Sequence, residues 1–468
     1  MDFDVVIGLE IHAELKTKTK VFCSCKNEFG AEPNSNTCPV CTGMPGALPI
    51  INKKAVELCI KAGLCFGCKI NDYAVMERKN YFYPDLSKAY QISQLAHPIC
   101  LGGGITLDNG EFKALNRIHL EEDAGKLNHI SKMVGTLVDY NRGGTPLIEI
   151  VTEPVFSNAE EVCEFLRKIR EALVFADIAN CKMEEGGMRC DVNLSLKPKG
   201  STKFGTRTEM KNLNSFKSIS SAIAFEIQRQ KEILSNGGVV FQETRKWNDD
   251  LGENFALRSK EETQDYRYFP DPDILPIKIS MADVEELKKQ IPVLPNERRK
   301  KYMQEFMLSQ SEAELLTTDR YISDYFETCV KIYNNPKKIS NWILTEFLRR
   351  IKETGSSKFS ISEQDLADIV KMVEDKKITK ANGIILIDEI EKTHNSAEIL
   401  AKELNLISTI TEAQIIEFLN RFKQENPKAV EDFKTDPKVQ SFIIGYVMKN
   451  TQGKADGQTV KELIQKMF

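Results

Sequence analysis

The chain has 468 residues, which predicts two to four domains. Its composition, 41% hydrophobic and 28% charged, is that of an ordinary globular protein, and its net charge of -4 excludes a global positive field for nucleic acid. No apolar run approaches the ~20 residues a membrane span needs, and Met1-Asp2-Phe3-Asp4 lacks a signal peptide's basic start. No membrane association and a cytoplasmic location are therefore expected, and the twelve cysteines suit a reducing compartment.

The first segment, Ile7 to Leu15, alternates apolar and polar residues and reads as a strand. Strand side chains alternate between faces, so Glu10, His12 and Glu14 share one. Next come Cys23-Ser24-Cys25 and Cys38-Pro39-Val40-Cys41, a C-x-C-x12-C-x-x-C pattern. Four thiolates in two pairs can surround one tetrahedral Zn²⁺, and four cysteines close the site, making it structural. Gly30, Pro33, Gly43 and Pro45 supply the turns of this loop, residues 23–41. Cys65 and Cys68 form a lone C-x-x-C in an apolar, helix-like stretch and read as core thiols, as do Cys59, Cys100, Cys163 and Cys329.

Gly102-Gly103-Gly104 lacks the context of a dinucleotide fingerprint and reads as a hairpin turn. The stretch from Arg117 to Pro154 organises the rest. Both of its ends alternate like strands: His119 and Glu121 share a face, and Glu149 shares one with Glu153. Alternation favours Glu121 over Glu122 for that face, unless a bulge reverses them. Helices are expected at Asn158 to Ala176 and at Ser215 to Leu234, the latter stopping at Asn236-Gly237-Gly238. Between them, one strand aligns Arg189, Asp191, Asn193 and Ser195, and another aligns Arg207, Glu209 and Lys211. Five strands with carboxylate, imidazole and guanidinium on one face fit a sheet curved round a polar substrate, with a divalent cation between the acids.

The Pro-rich run Phe269 to Pro276 is full of turns, and Pro292-Val293-Leu294-Pro295 looks like a boundary. Beyond it helical periodicity takes over, with helices expected at Asn296 to Leu308, Ser340 to Lys352, Glu363 to Asp375 and Ala397 to Leu404. A linker is expected at 353–358. Ser360 with Glu363, and Thr411 with Gln414, fit capping boxes. The last segment reads as three or four short helices around Phe418, Phe422, Phe433 and Phe442, close to neutral. The fold class expected is α+β: a mainly antiparallel cradle with flanking helices over 1–293, an all-α domain over 294–405 and a small all-α tail over 406–468. The chain has no P-loop and no nucleophile elbow, so its chemistry depends on metal and electrostatics.

Several segments carry a resemblance. They are Gly8 to Leu15, Arg78-Lys79-Asn80-Tyr81-Phe82-Tyr83-Pro84-Asp85 onward to Gln94, His119 to Lys126, and Asn141 to Pro154. Met183 to Asn193, Lys211 to Ser215 and Asp265-Tyr266-Arg267-Tyr268-Phe269-Pro270 follow in order. Together they resemble the B subunits of the aspartyl/glutamyl-tRNA(Asn/Gln) amidotransferases, over the whole chain. The chain departs at Ser87 and Gly187, where that family often has Pro and Ser; neither position carries charge.

The resemblance implies a ligase of the EC 6.3.5 type. ATP phosphorylates the side-chain carboxylate of a mischarged Glu-tRNA(Gln) or Asp-tRNA(Asn), and ammonia then displaces phosphate. It also implies a heterotrimer with an amidase (glutaminase), the A subunit of such complexes, and with a small C subunit, and a tail that recognises tRNA. Set against that chemistry, Glu10, Glu121 or Glu122, Glu149 and Asp191 are the candidate catalytic carboxylates. His12 joins Glu10, Glu121 and Glu149 as a candidate Mg²⁺ ligand. Lys79, Arg189 and Lys211 are candidate clamps for phosphate or carboxylate. Tyr81 is placed to stack on adenine or the tRNA end. Lys434, Lys438, Lys449 and Lys454 are the candidate tRNA contacts. A zinc-stabilised RNA scaffold fits less well, because crowded carboxylates repel phosphate unless metal stands between them.

Overall fold

The computed structural model describes residues 2–129, 135–259, 265–355, 358–407, 410–433, 437–451 and 454–468. It has two compact units, Met1–Leu294 and Pro295–Phe468. The class is α+β, as expected.

The first unit is built on a ten-stranded sheet. Five strands carry its centre: β1 (Phe3–Glu14), β2 (Phe112–Glu122), β3 (Pro146–Thr152), β4 (Met188–Pro198) and β5 (Thr208–Lys211). Their order across the sheet is β5-β4-β1-β3-β2, antiparallel throughout. Glu243–Asn248 runs parallel to β5 and is followed by Glu253–Ser259 at that edge. Short strands at Cys100–Leu101, Gly104–Thr106 and Lys69–Ile70 finish the other side. Gly102 and Gly103 form a bend rather than a hairpin turn: the strands before and after them both pair with β2.

Three helices cover one face of the sheet: α1 (Lys53–Cys65), α2 (Ala159–Phe175) and α3 (Phe216–Ser235). Each starts at a polar cap whose side chain accepts a backbone N–H: Asn52 from Lys54, Asn158 from Glu161 and Ser215 from Ser218. Val162, Phe165, Leu166 and Ile169 of α2 are buried with Ile219, Ala222 and Ile223 of α3. They share one core with the inward side chains Ile7, Leu9, Ile11, Ile118, Leu120, Ile148, Ile150, Val192 and Leu194. Burying each such aliphatic side chain is worth about 1.5–3 kcal/mol. The opposite side chains of the same strands are left for the polar face.

The second unit is helical. Its side chains gather in two buried clusters, one around Tyr302, Tyr325, Phe326 and Phe347, the other around Leu419, Phe422, Ile443 and Val447. Thr411 and Gln414 form the expected capping box. The helix Glu363–Glu374 is capped by Ser362, which accepts from the Asp365 N–H, and not by Ser360, whose hydroxyl turns to Glu391. The expected helix at 340–352 is three pieces, Pro336–Trp342, a wider π turn at Ile343–Phe347, and Leu348–Thr354. Gly355 ends it with φ +67°, within the expected linker. Among the described residues, no helix is long and apolar enough to cross a membrane.

Candidate active site and cysteine centre

Register brings the polar face together. His12 lies opposite Arg189 on one side and Glu149 on the other, and Glu149 lies opposite His119. One step along, Glu10 faces Asp191. Directly opposed side chains on antiparallel strands stand about 5 Å apart at Cβ, so these rows are contacts.

Two groups able to hold a cation result. In the first, His12 Nε2 lies 3.3 Å from Glu121 Oε1 and 3.6 Å from Glu149 Oε2. His119 Nε2 adds a second imidazole 3.3 Å from Glu149 Oε2. Ser93 Oγ donates to Glu121 Oε2 at 3.2 Å. Burial works against the charged form of His12, but its hydrogen bonds to Glu121 and Glu149 raise its pKa to about 10. Burial alone would raise the Glu149 carboxyl; His119 and His12 overcome it and hold Glu149 well below the usual carboxylate range.

The second group is Glu10, Asp191 and Glu209. Burial raises the Glu10 carboxyl, and its neighbours Glu149, Glu209 and Asp191 raise it further. Lys211 Nζ bridges this group, 2.6 Å from Asp191 and 3.0 Å from Glu209. Asn193 Nδ2 donates to Glu10 at 3.0 Å. Crowded acids and an imidazole are the donor types of a hard divalent cation such as Mg²⁺ or Mn²⁺, and in the second group the Lys211 ammonium neutralises part of the acidic charge.

Glu209 and His119 are missing from the sequence-based candidates. Alternation had already set Glu209 beside Lys211 and His119 beside Glu121, so the signal was present. Glu122 points away from both groups. Lys88 Nζ donates to its two carboxylate oxygens at 2.6 and 2.7 Å, and the Ile92 N–H donates at 2.9 Å. Glu153 also stays out. The register slips at a bulge between Val151 and Thr152, and Glu153 instead accepts from Asn116 at 2.8 Å.

His12 and Glu149 of the first group and all three acids of the second line a cleft of about 840 Å³, while Glu121 lines a pocket beside it. Lys79, Tyr81 and Tyr266 line the cleft too, with Lys79 Nζ 5.0 Å from the Tyr266 ring centre and 5.8 Å from that of Tyr81. Lys79 makes no ion pair among the described residues. Tyr81 meets Tyr266 edge-on at 5.8 Å. The neighbouring pocket is also lined by Arg189, Asp123 and Arg142, where Arg189 donates to Asp123 at 3.0 Å.

All twelve cysteines are free thiols. Cys68 is buried and Cys65 half-buried, while Cys59, Cys100, Cys163 and Cys329 are buried. Cys23, Cys25, Cys38 and Cys41 converge, their sulfurs all within 4.8 Å of one another. The Cys38–Cys41 separation is 3.9 Å, close to the edge of about 3.8 Å for a tetrahedron with metal–sulfur bonds of about 2.3 Å. The Cys38 N–H donates to Cys41 Sγ at 3.2 Å, and the buried Lys20 ammonium lies 3.5 Å away. The hydrogen bond with Cys23, aided by Cys38 and Lys20, pulls the Cys41 thiol down to about 4. Thiolate character at such a cluster is what a metal requires. Gly43 (φ +69°) closes the loop where a Cβ would lie 2.9 Å from the Ser87 carbonyl oxygen.

Of the candidate tRNA contacts, Lys449 is exposed and Lys454 half-buried. Lys438 lies in the helix Pro437–Asn450, and Lys434 lies outside the described residues.

Comparison with known proteins identifies the class of this acidic, histidine-bearing antiparallel sheet with a cysteine loop at its side. A family model described as the GatB/GatE catalytic domain matches residues 5–285, and one described as the GatB domain matches 324–468. Three relatives bear the name of the B subunit of aspartyl/glutamyl-tRNA(Asn/Gln) amidotransferase. The protein of Caldicellulosiruptor bescii is 48% identical over 474 residues, covering 99% of each chain. That of Thermoanaerobacter pseudethanolicus is 43% identical, with 99% of each covered. That of Persephonella marina is 43% identical, with 100% of each covered. The chain belongs to the GatB family.

Proposed function

We infer that the chain converts mischarged Glu-tRNA(Gln) or Asp-tRNA(Asn) into Gln-tRNA(Gln) or Asn-tRNA(Asn), as one component of a glutamine-dependent amidotransferase of the ligase type. Similarity along its whole length to proteins named for that activity supports the reading. The observation that carries it at the level of residues is the pair of acidic groups on neighbouring strands at the floor of one cleft and of the pocket beside it.

In the reaction, a substrate carboxylate oxygen attacks the γ-phosphorus of ATP and ADP leaves. Ammonia then attacks the acyl phosphate, the amide forms and phosphate leaves. We place both steps in the cleft. Phosphoryl transfer needs alignment and neutralised charge. We propose Mg²⁺ as the ion for His12, Glu121 and Glu149, and for Glu10, Asp191 and Glu209; once bound it supplies positive charge against phosphate oxygens. Lys211 holds Asp191 and Glu209 in place. Lys79 is placed to meet the substrate carboxylate or phosphate, and Tyr81 offers a ring face to a base. Arg189 orients Asp123 at the side pocket.

We further propose Zn²⁺ for the four-cysteine loop, whose sulfur spacing and lowered Cys41 favour it. The relatives' name, with its letter B, carries the expectation of partners: a glutaminase (the A subunit) that supplies ammonia and a small third protein (the C subunit), in a cytoplasmic heterotrimer. Residues 294–405 would form a helical domain and 406–468 a tail that touches tRNA through Lys434, Lys438, Lys449 and Lys454.

The test is phosphate release from labelled ATP by the chain with its glutaminase and small partners, Mg²⁺ and either mischarged tRNA. The expected result is release with mischarged tRNA, none with uncharged tRNA and none with Glu149→Ala. Release that ignores the aminoacyl group, or survives in Glu149→Ala, would sink the reading.

A further inference from the structure

Two of the three cations that the sequence offers as phosphate clamps already have carboxylate partners, and the third, Lys79, is a point charge lying against the Tyr266 and Tyr81 rings. Arg189 is paired with Asp123, and Lys211 with Asp191 and Glu209. A guanidinium engaged by an internal carboxylate is a weak receptor for a second anion. Three arginines line the large cleft: Arg117, which donates to Asn116 Oδ1 at 3.2 Å, and Arg207 and Arg267. Arg207 and Arg267 are both exposed. Among the described residues, neither of these two guanidinium groups has a hydrogen bond or ion pair.

Arg267 sits on an unusual backbone. Its φ is +45°, the left-handed region that a residue with a Cβ rarely adopts. Such a conformation costs about 1–3 kcal/mol and persists where the surroundings impose it. Here three hydrogen bonds impose it. The Arg267 N–H donates to Asp265 Oδ1 at 2.9 Å, Asn80 Nδ2 donates to the Arg267 carbonyl at 2.7 Å, and the Asn80 N–H donates to the Tyr266 carbonyl at 2.9 Å. Asn80 ends the strand Glu77–Asn80, directly after Lys79. The clamp therefore sets an unpaired guanidinium on the wall of a cleft whose floor is acidic.

We propose that Arg267 and Arg207 grip the polyphosphate of the nucleoside triphosphate, and that Asn80 is the positioning residue that sets Arg267. The proposal rests on the ATP-dependent reading above. Planar guanidinium donates two parallel N–H groups to phosphate oxygens, which Lys cannot match. With arginines on the wall, the phosphates are held by groups that need not first break an internal ion pair. The ligand chemistry is phosphate, which ATP and tRNA both carry; the proposal commits to ATP.

The experiment is calorimetric titration of the full-length chain, in Mg²⁺, with ATP and separately with adenosine and with tRNA. Arg267→Ala and Arg207→Ala are expected to weaken ATP about tenfold each and leave adenosine unchanged. Arg267→Lys should recover only part of the loss. Asn80→Ala should weaken ATP but not adenosine, a split that general damage to the cleft would not produce. Unchanged ATP affinity in both arginine variants overturns the proposal, as does an equal loss of ATP and adenosine. A loss confined to tRNA assigns the arginines to RNA phosphates and also overturns it. A wild-type chain that binds no ATP at all overturns the nucleotide reading itself, an outcome distinct from the others.

Discussion

His12 and Glu149 stand directly opposite each other on β1 and β3, with His12 Nε2 3.6 Å from Glu149 Oε2, and Glu149 in turn faces His119 on β2. Glu149 is thus the carboxylate that two imidazoles share. Glu149→Gln keeps the shape and removes the charge. It is expected to weaken divalent-cation affinity about 10–100-fold, and to lower phosphate release in step. Raising Mg²⁺ should recover part of the rate. The check is a Mg²⁺ titration of phosphate release beside direct Mn²⁺ binding by electron paramagnetic resonance. Unaltered Mn²⁺ affinity would remove Glu149 from the cation site.

Glu121 and Glu122 are adjacent in sequence and opposite in consequence. Glu121 meets His12, while Glu122 is enclosed by Lys88 and the Ile92 N–H. Glu122→Ala would strand a largely buried Lys88 ammonium, so a loss of about 3–5 kcal/mol is expected. Glu122→Leu with Lys88→Met, which removes both charges, should restore much of it. Glu121→Gln should do the reverse, sparing stability and reducing cation affinity. Urea unfolding and Mn²⁺ binding on these variants separate the cases. Equal behaviour of Glu121 and Glu122 would contradict the side-chain directions of β2.

How much of this was legible follows from the period of a strand. Alternation alone placed Glu10 with His12, His119 with Glu121 and Glu209 with Lys211, because a pleated strand cannot do otherwise. What it could not supply was which strands lie side by side. Glu209 belongs with Glu10 and Asp191 only because β5, β4 and β1 are neighbours, and that order is set by hydrogen bonding between segments far apart in sequence. The same holds for Arg189, which reads as a free clamp until Asp123 is found beside it. Glu153 lies just past the end of β3, where the unpaired Asn116 of β2 takes the ladder out of register, a local break that alternation does not reveal. Ser360 looked like a cap because two serines lie two residues apart, and only the chain direction entering the helix selects Ser362. Arg267's backbone had no signal at all, because its conformation is imposed by Asn80 from another strand.

The cysteine loop makes a metal-dependent prediction. The purified chain is expected to carry one zinc, measured by plasma mass spectrometry. Cys41→Ser should lose it, since Cys41 is the thiol most readily ionised. Chelation should lower the unfolding midpoint and loosen the loop at residues 23–41, read as faster amide exchange at Val21 and Asn52, whose backbone bonds anchor it. A chain free of metal with an unchanged midpoint would make the four cysteines ordinary reduced thiols.

Glu226 offers the pH test, away from any cation site. Its carboxylate lies in α3 with no exposed surface, yet it accepts from Thr208 at 2.8 Å, Gln230 at 2.8 Å, Asn254 at 3.1 Å and both Arg229 nitrogens at 2.7 and 2.8 Å. Burial alone would raise its pKa, but these partners, Arg229 first, hold it below the ordinary value. The sign follows: an acid whose folded pKa is depressed gives stability that is present above its unfolded pKa, about 4.3. That stability is lost as pH falls from there toward the folded value. Glu226→Gln removes the titration, so its unfolding midpoint should fall less steeply than wild type below about pH 4.5. At neutral pH, Glu226→Ala leaves Arg229 with Glu243 alone, at 3.5 Å, and takes the shared carboxylate acceptor from Thr208, Gln230 and Asn254, and should cost about 3 kcal/mol. Thermal unfolding between pH 3 and 7 measures both effects. Identical acid limbs for wild type and Glu226→Gln would mean that the network does not favour the charged form, and α3 would then be held to β4 by its apolar face alone.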